Sequence, residues 1–400
     1  ITVGSTNEYA VFVQNPTSAA ASGLVTATIA SPLNSAADIT KSGRGTLVLS
    51  AANSAGGGAK KTTINEGVLS INALDKIGGS TGGLVFAGGT LLFTGAFDPS
   101  TRTVTFQQGG AVLDTNSNNI TLANAIGGGG SGGLTKLGAG NLTFGASASY
   151  TGDTSLQGSG RIILNGGGAN RIGTAGLSMG ATASLQLGDA TNGSTTQIVS
   201  ALTGVAANSI VGGGAAVSTL TVSQSTNTSY LGLIGGAGTN ENNIALVKDG
   251  VGSLTMGAVA NTFTGGITVS GGTLVGGNNA NTFGANANTI TLNPTGSLDA
   301  VLNPVNSGTY AHPLTVTNAG GGSGAAILVG GGTTGAPIMS GAITLTNKDL
   351  IINKVGTTGT FTLSGGVTGT GNLVIDNYGT TGVITLTTNP VNNTGSIKNA

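Results

Sequence analysis

The sequence predicts an all-β chain wound into a β-solenoid, and three observations carry that prediction. First, one phrase recurs: a lysine, two glycines one residue apart, then an alternating apolar run. It reads Lys41-Ser42-Gly43-Arg44-Gly45-Thr46-Leu47-Val48-Leu49, then Lys136-Leu137-Gly138-Ala139-Gly140-Asn141-Leu142-Thr143-Phe144, then Lys248-Asp249-Gly250-Val251-Gly252-Ser253-Leu254-Thr255-Met256. Second, short runs rich in Thr, Val, Ile and Leu recur along the whole chain. Third, glycine supplies 75 of 400 residues while charged residues make up only 6%. Repetition of a fixed phrase is the signature of stacked repeats, each unable to bury its apolar face alone. Collagen is excluded because no strict Gly-X-Y period appears, and disorder because the chain is neither highly charged nor poor in apolar residues.

The strand-like runs include 46–50, 67–72, 89–94, 101–106, 119–123, 161–165, 266–270, 288–293 and 341–346. Each is short, alternates in polarity and is bounded by Gly, Asn, Ser or Asp, which is strand separated by turn. The best helical stretch is 19–30, weakened by Gly23 and its β-branched residues. A second phrase follows each lysine strand: an aromatic turn at Tyr150-Thr151-Gly152 and Phe263-Thr264-Gly265, then a strand. Degraded copies lie at 354–363 and 377–386, the first opening on Lys354 and the second on Asn377.

Lysines about a hundred residues apart are too distant for one coil, so each block holds four or five coils of roughly 20–25 residues. The expectation is one continuous solenoid over 1–400. Its sub-blocks are N-terminal rungs at 1–37, repeat blocks at 38–131, 132–244 and 245–350, and a degraded terminal block at 351–400. On the order of 16–20 coils at the β spacing would make an elongated rod roughly 75–95 Å long. Inward Leu, Val, Ile and Ala form ladders, Thr and Ser face water, and glycine and asparagine turn the corners.

The Lys-x-Gly-x-Gly-x-Leu-Thr phrase, followed by Thr-Tyr/Phe-Thr-Gly and then Gly-Thr-Leu, resembles the autotransporter-associated β-strand repeat of bacterial passenger domains. The resemblance is close at 38–72, 132–165 and 245–276 and weaker at 351–397. It implies a right-handed parallel β-helix, exported to the surface of a Gram-negative-type bacterium. It also implies adhesion, self-association or a stalk role. The sequence departs from the family plan in carrying no barrel-like translocator strands and no recognisable appended enzyme.

Composition excludes several function classes. Basic and acidic residues balance at 13 each, so no basic stripe invites nucleic acid. No charge at all occurs between Asp189 and Glu241, and so neutral a surface repels its own copies weakly. There is no cysteine, which removes disulfides and thiolate metal sites and fits export. No apolar run is long enough to span a membrane as a helix. No leader is evident at Ile1, and the chain stops within a pattern.

Catalytic candidates are sparse. The single histidine, His312, precedes Pro313 and reads as a solvent-facing loop residue rather than a triad member. The acids are scattered, so paired-carboxylate chemistry would need pairing across coils. The glycine runs at 127–133 and 320–324 lack a Gly-Lys-Ser/Thr ending. No catalytic residue, cofactor or metal ligand is expected. The motif lysines Lys41, Lys136, Lys248 and Lys354 read as starting a strand, either as solvated corner residues or as partners of a carboxylate on the next coil, such as Asp153 for Lys136. Phe144, Tyr150, Phe263, Phe283 and Tyr378 read as core rather than sugar platforms.

The expected function is an extracellular structural β-solenoid: a fibre, stalk or filament-forming surface protein that associates with its own copies, with end-to-end stacking as one route. The stretch before residue 38 and the final block are the candidate mating ends. The alternative is an adhesin passenger binding glycans or host surfaces; a polysaccharide-degrading β-helix is a distant third.

Overall fold

The computed structural model describes residues 8–14, 25–34, 36–79, 81–180, 182–305, 307–331, 335–356, 358–377 and 382–400. Every described strand pairing is parallel, and the only helices among the described residues are two short 3-10 turns, Leu74–Ile77 and Pro99–Thr101. The predicted strands are present at each of the named runs. The candidate helix is not: Thr26–Ile29 is a strand, and 19–24 lie outside the described residues. The chain divides into two compact units, Ile1–Gln186 and Leu187–Ala400, and each is a β-solenoid.

In the first unit one sheet stacks Glu8–Phe12, Asp38–Ser42, Lys61–Ile64, Gly83–Phe86 and Val104–Phe106. A second stacks Thr26–Ile29, Thr46–Leu49, Val68–Ile71, Thr90–Phe93, Ala111–Asp114, Leu134–Leu137, Thr154–Leu156 and Gly176–Met179. A third carries Ile120–Leu122, Leu142–Phe144 and Arg161–Leu164. Register keeps like over like. Leu47, Leu69, Leu91 and Leu113 form one inward ladder, and each is at most 2% exposed. Burial of each such side chain contributes about 1.5–3 kcal/mol, but only once its neighbours above and below are present.

The second unit repeats the plan on other faces. An eight-stranded sheet runs from Thr196–Val199 through Ser218–Ser223, Ile244–Asp249, Ile267–Val269, Ile290–Leu292, Leu314–Thr317 and Ile343–Thr346 to Val367–Gly369. Its outward side carries an unbroken column, Thr268, Thr291, Thr315, Thr344 and Thr368. A second face stacks Ser253–Met256, Gly272–Gly276, Ala300–Pro304, Ala326–Val329, Leu350–Asn353 and Leu373–Asp376. Its inward ladder is Leu254, Leu274, Leu302, Leu328 and Ile352, all fully buried.

Aromatic residues fill the wider parts of both cores. Phe144, Tyr150, Phe263 and Phe283 are each at most 2% exposed, as the sequence predicts; Tyr378 lies outside the described residues. Tyr150 stacks 5.3 Å from Phe106, so the aromatic of the turn phrase is drawn inside the coil. His312 departs from expectation. It is fully buried, edge-on to Phe283 at 6.1 Å, with Nε2 3.3 Å from the Gly284 carbonyl. Burial lowers its pKa, only partly opposed by the Gly284 carbonyl, so a neutral ring packs as an aromatic. The dipeptide with Pro313 suggested a loop, but His312 falls in line with the inward alternation of the Leu314–Thr317 strand.

Candidate functional site

The repeated phrase builds a corner, and its lysine is buried. Lys41, Lys136, Lys248 and Lys354 are all 0% exposed, which overturns both expectations for them. None is a solvated corner residue, and Lys136 does not reach Asp153, whose carboxylate instead accepts the Gly176 N–H at 2.8 Å. Nor do the lysines start strands. Lys41 lies within Asp38–Ser42, Lys136 within Leu134–Leu137 and Lys248 within Ile244–Asp249, each near the strand's end.

Alternation explains the burial. Each lysine occupies an inward rung: Val11, Lys41, Ile64; Leu113, Lys136, Leu156; Val222, Lys248, Val269. The four-carbon stem substitutes for a core aliphatic, and the ammonium reaches the end of the strand. There the chain turns through the first glycine in a left-handed conformation, φ +74 at Gly43, +79 at Gly138 and +73 at Gly250. That turn aims consecutive carbonyls at Nζ. Lys248 Nζ donates to Asp249 O at 2.7 Å, Gly250 O at 3.0 Å and Gly271 O, on the next coil, at 3.0 Å. Lys41 does the same with Ser42 O at 2.9 Å, Gly43 O at 2.5 Å and Glu66 O at 3.0 Å. Lys136 donates to Leu137 O and Gly138 O, with Thr115 Oγ1 of the preceding coil at 3.4 Å. Three acceptors match the three N–H bonds of an ammonium.

The second glycine of the phrase has a different task. A Cβ at Gly140 would fall 1.9 Å from Asn118 O, and one at Gly252 2.2 Å from Thr226 O. At Gly45 it would meet Val13 Cγ1 at 2.6 Å. The preceding coil therefore sits directly on the corner. It carries buried Thr115 over the Lys136 corner and buried Gln224 over the Lys248 corner, and Gln224 Nε2 donates to Ser253 O at 2.5 Å.

Burial sets the charge chemistry. Desolvation lowers the Lys136 pKa from 10.5 to about 8, partly opposed by Asp114, and lowers Lys248 likewise to about 8, partly opposed by Asp249. Lys41 and Lys354 are lowered too, by desolvation. The unfolded chain holds these protons up to about pH 10.5, while the folded chain sheds those of Lys136 and Lys248 above about pH 8. The unfolded state then binds more protons, so stability rises with pH across that window. In thermal melts, wild-type protein should gain midpoint between pH 8 and 10.5 relative to the Lys136→Met/Lys248→Met double variant. Parallel pH profiles of the two proteins would refute this.

Two devices escaped the sequence reading. Asp and Asn residues before strands accept the backbone N–H of the coil that follows. Asn119 takes Asn141 N at 2.9 Å, Asn141 takes Arg161 N at 3.0 Å, and Asp299 takes Ala325 N at 2.7 Å. Several of the scattered acids are thus staples between coils. The signal was a polar residue just before a strand, which also reads as an ordinary turn. The second is Arg102, 3% exposed, whose Nη2 donates to Gly56 O at 2.8 Å and Ile77 O at 2.7 Å. It repeats the lysine device outside the phrase, and desolvation lowers its pKa to about 10.

Residues 39–71, 134–162 and 246–275 match the family model of the passenger-associated transport repeat. The three matched segments coincide with the three lysine corners, so the chain carries three such repeats. No curated protein and no solved structure matches it. Repeat and solenoid together support a passenger domain of the autotransporter kind, and that family points to secretion or the cell surface. Among the described residues no group of His, Cys, Asp and Glu is arranged to hold a metal ion, and no helix is long and apolar enough to cross a membrane.

Proposed function

We propose that this chain is a structural stretch of a surface-exposed passenger, a β-solenoid stalk that associates with copies of itself and catalyses no reaction. The observation that supports this reading is what the repeats build. Each copy closes a corner, buries its own charge and leaves no cleft around it. Side chains that could do chemistry are used inside: the only histidine packs on Phe283, and Asp153 and Asp299 staple coils. What remains outside is neutral, as in the threonine column of the second unit, and a neutral surface permits copies to approach. Glycan binding has thinner support, because four of the five aromatics that would serve as platforms are buried.

The test is topological. Gly58 and Ala59 are both exposed, and nothing lies within 4 Å of a Cβ at Gly58. An epitope inserted between them in the full-length protein should be stained by antibody on intact cells. Staining that requires permeabilisation would sink the surface reading.

A further inference from the structure

Four successive strands of the second unit, Ala300–Pro304, Ala326–Val329, Leu350–Asn353 and Leu373–Asp376, pair without a register break. Their outward centre is an aliphatic column where polar residues are expected: Val301, Ile327, Ile351 and Val374. All four are half-buried, none is covered by another part of this unit, and the side chains stand in a row at the strand spacing of about 4.8 Å. Contiguous apolar surface of this kind marks an interaction site.

The two flanking columns identify the partner. Two residues before the aliphatic column stand Asp299, Ala325, Asp349 and Asn372; two residues after it stand Asn303, Val329, Asn353 and Asp376. A twofold axis parallel to the stacking direction lays this face on its own copy, exchanging the two flanks rung by rung. Asp299 then meets Asn303, Ala325 meets Val329, Asp349 meets Asn353 and Asn372 meets Asp376. Every carboxylate finds an amide donor, the small residue finds an aliphatic one, and no two like charges oppose. The opposite arrangement, with the copies antiparallel, sets Asp299 on Asn372 but leaves Asp349 facing Ala325. Asn303 Oδ1 and Asn353 Oδ1 make no hydrogen bond within the chain, so these amides are not committed internally.

We propose that this face is a self-complementary seam by which two copies of the chain lie side by side and parallel. The seam rests on the passenger reading in one respect: copies displayed on one surface share an orientation and a high local concentration. Four rungs by three columns cover on the order of 300–400 Å² per copy, below the roughly 800 Å² per partner of a stable complex. The contact is therefore weak for free chains and becomes effective where many copies are held together.

The chain has no cysteine of its own, so single cysteines report the geometry. Disulfides need Cβ atoms roughly 3.5–4.5 Å apart. In the parallel seam Val301 faces Val301 and Val374 faces Val374, with the two positions three rungs apart. Purified Val301→Cys and Val374→Cys proteins, checked for native circular dichroism, should each oxidise to a homodimer as the main species. Their mixture should add no Val301–Val374 cross-link, and Thr315→Cys on the other sheet should remain monomeric. Cross-links only in the mixture would overturn the parallel seam, and so would dimer no greater than the Thr315→Cys control. Sedimentation of the wild type at rising concentration, with Ile351→Lys as comparison, gives a second reading; identical behaviour of the two counts against the seam. These measurements use purified chain and do not depend on export. Failure here with the inserted epitope still accessible removes only the seam, whereas an inaccessible epitope with intact cross-links removes only the surface reading.

Discussion

Gly250→Ala should unfold the second unit at markedly lower urea than the wild type, with a loss on the order of 2–5 kcal/mol. Two costs combine. The residue sits at φ +73, and its Cβ would fall 2.4 Å from Gln224 O and 2.8 Å from Gln224 N. Those are backbone atoms of the preceding coil, already fixed by Gln224 N bonding to Asp249 O at 3.1 Å and Gly252 N to Gln224 O at 2.9 Å. Neither can retreat without parting two coils. Gly296 in the same unit separates the two costs, since it has φ +55 but nothing within 4 Å of a Cβ. Gly296→Ala should cost only about 1 kcal/mol, the conformational part alone. Equal losses in the two variants, read by circular dichroism in urea, would show that contact between coils is not what the corner glycine protects.

The second large effect is Lys248→Met. Methionine is unbranched, apolar and close in length, so it fills the same rung beside Val222 and Val269. What it removes is the ammonium, leaving the carbonyls of Asp249, Gly250 and Gly271 without their donor. A buried acceptor left unsatisfied costs about 1–3 kcal/mol. Relief of the lysine's own desolvation, a drop from 10.5 to about 8 in pKa, returns on the order of 3 kcal/mol at neutral pH. The net loss expected is about 2–4 kcal/mol, with new protease sensitivity near Gly250. A methionine variant as stable as the wild type would mean that the lysine merely fills space.

Much of the architecture was legible because the solenoid obeys local rules. The run at 89–94 alternates, and its leucine and phenylalanine rungs lie inside; the Ser-Tyr-Thr turn at 149–151 announced a corner. The lysines were misread for a physical reason. Sequence shows that a charge recurs but not where its neighbours' carbonyls point, and a surface lysine is the commoner arrangement. The signal was available in the alternation: Lys136 falls in phase with inward Leu134, and Lys248 with Leu246. His312 was missed likewise, its proline neighbour suggesting a turn while its phase with Leu314 placed it inside. The staples at Asn119, Asn141 and Asp299 were beyond sequence reading, since each bond joins residues 20–26 apart through a register that only stacking defines.

The lysine corner does not belong to any one side of its coil. At Lys41 it joins Asp38–Ser42 to Thr46–Leu49, yet at Lys136 it leads out of Leu134–Leu137, a strand on the same sheet as Thr46–Leu49. At Lys248 it leads out of the eight-stranded sheet of the second unit. A module that carries its own counter-dipoles can be copied into whichever angle the cross-section offers. Genes for such chains can therefore lengthen by duplicating one short segment, with no need to preserve which side of the prism it came from.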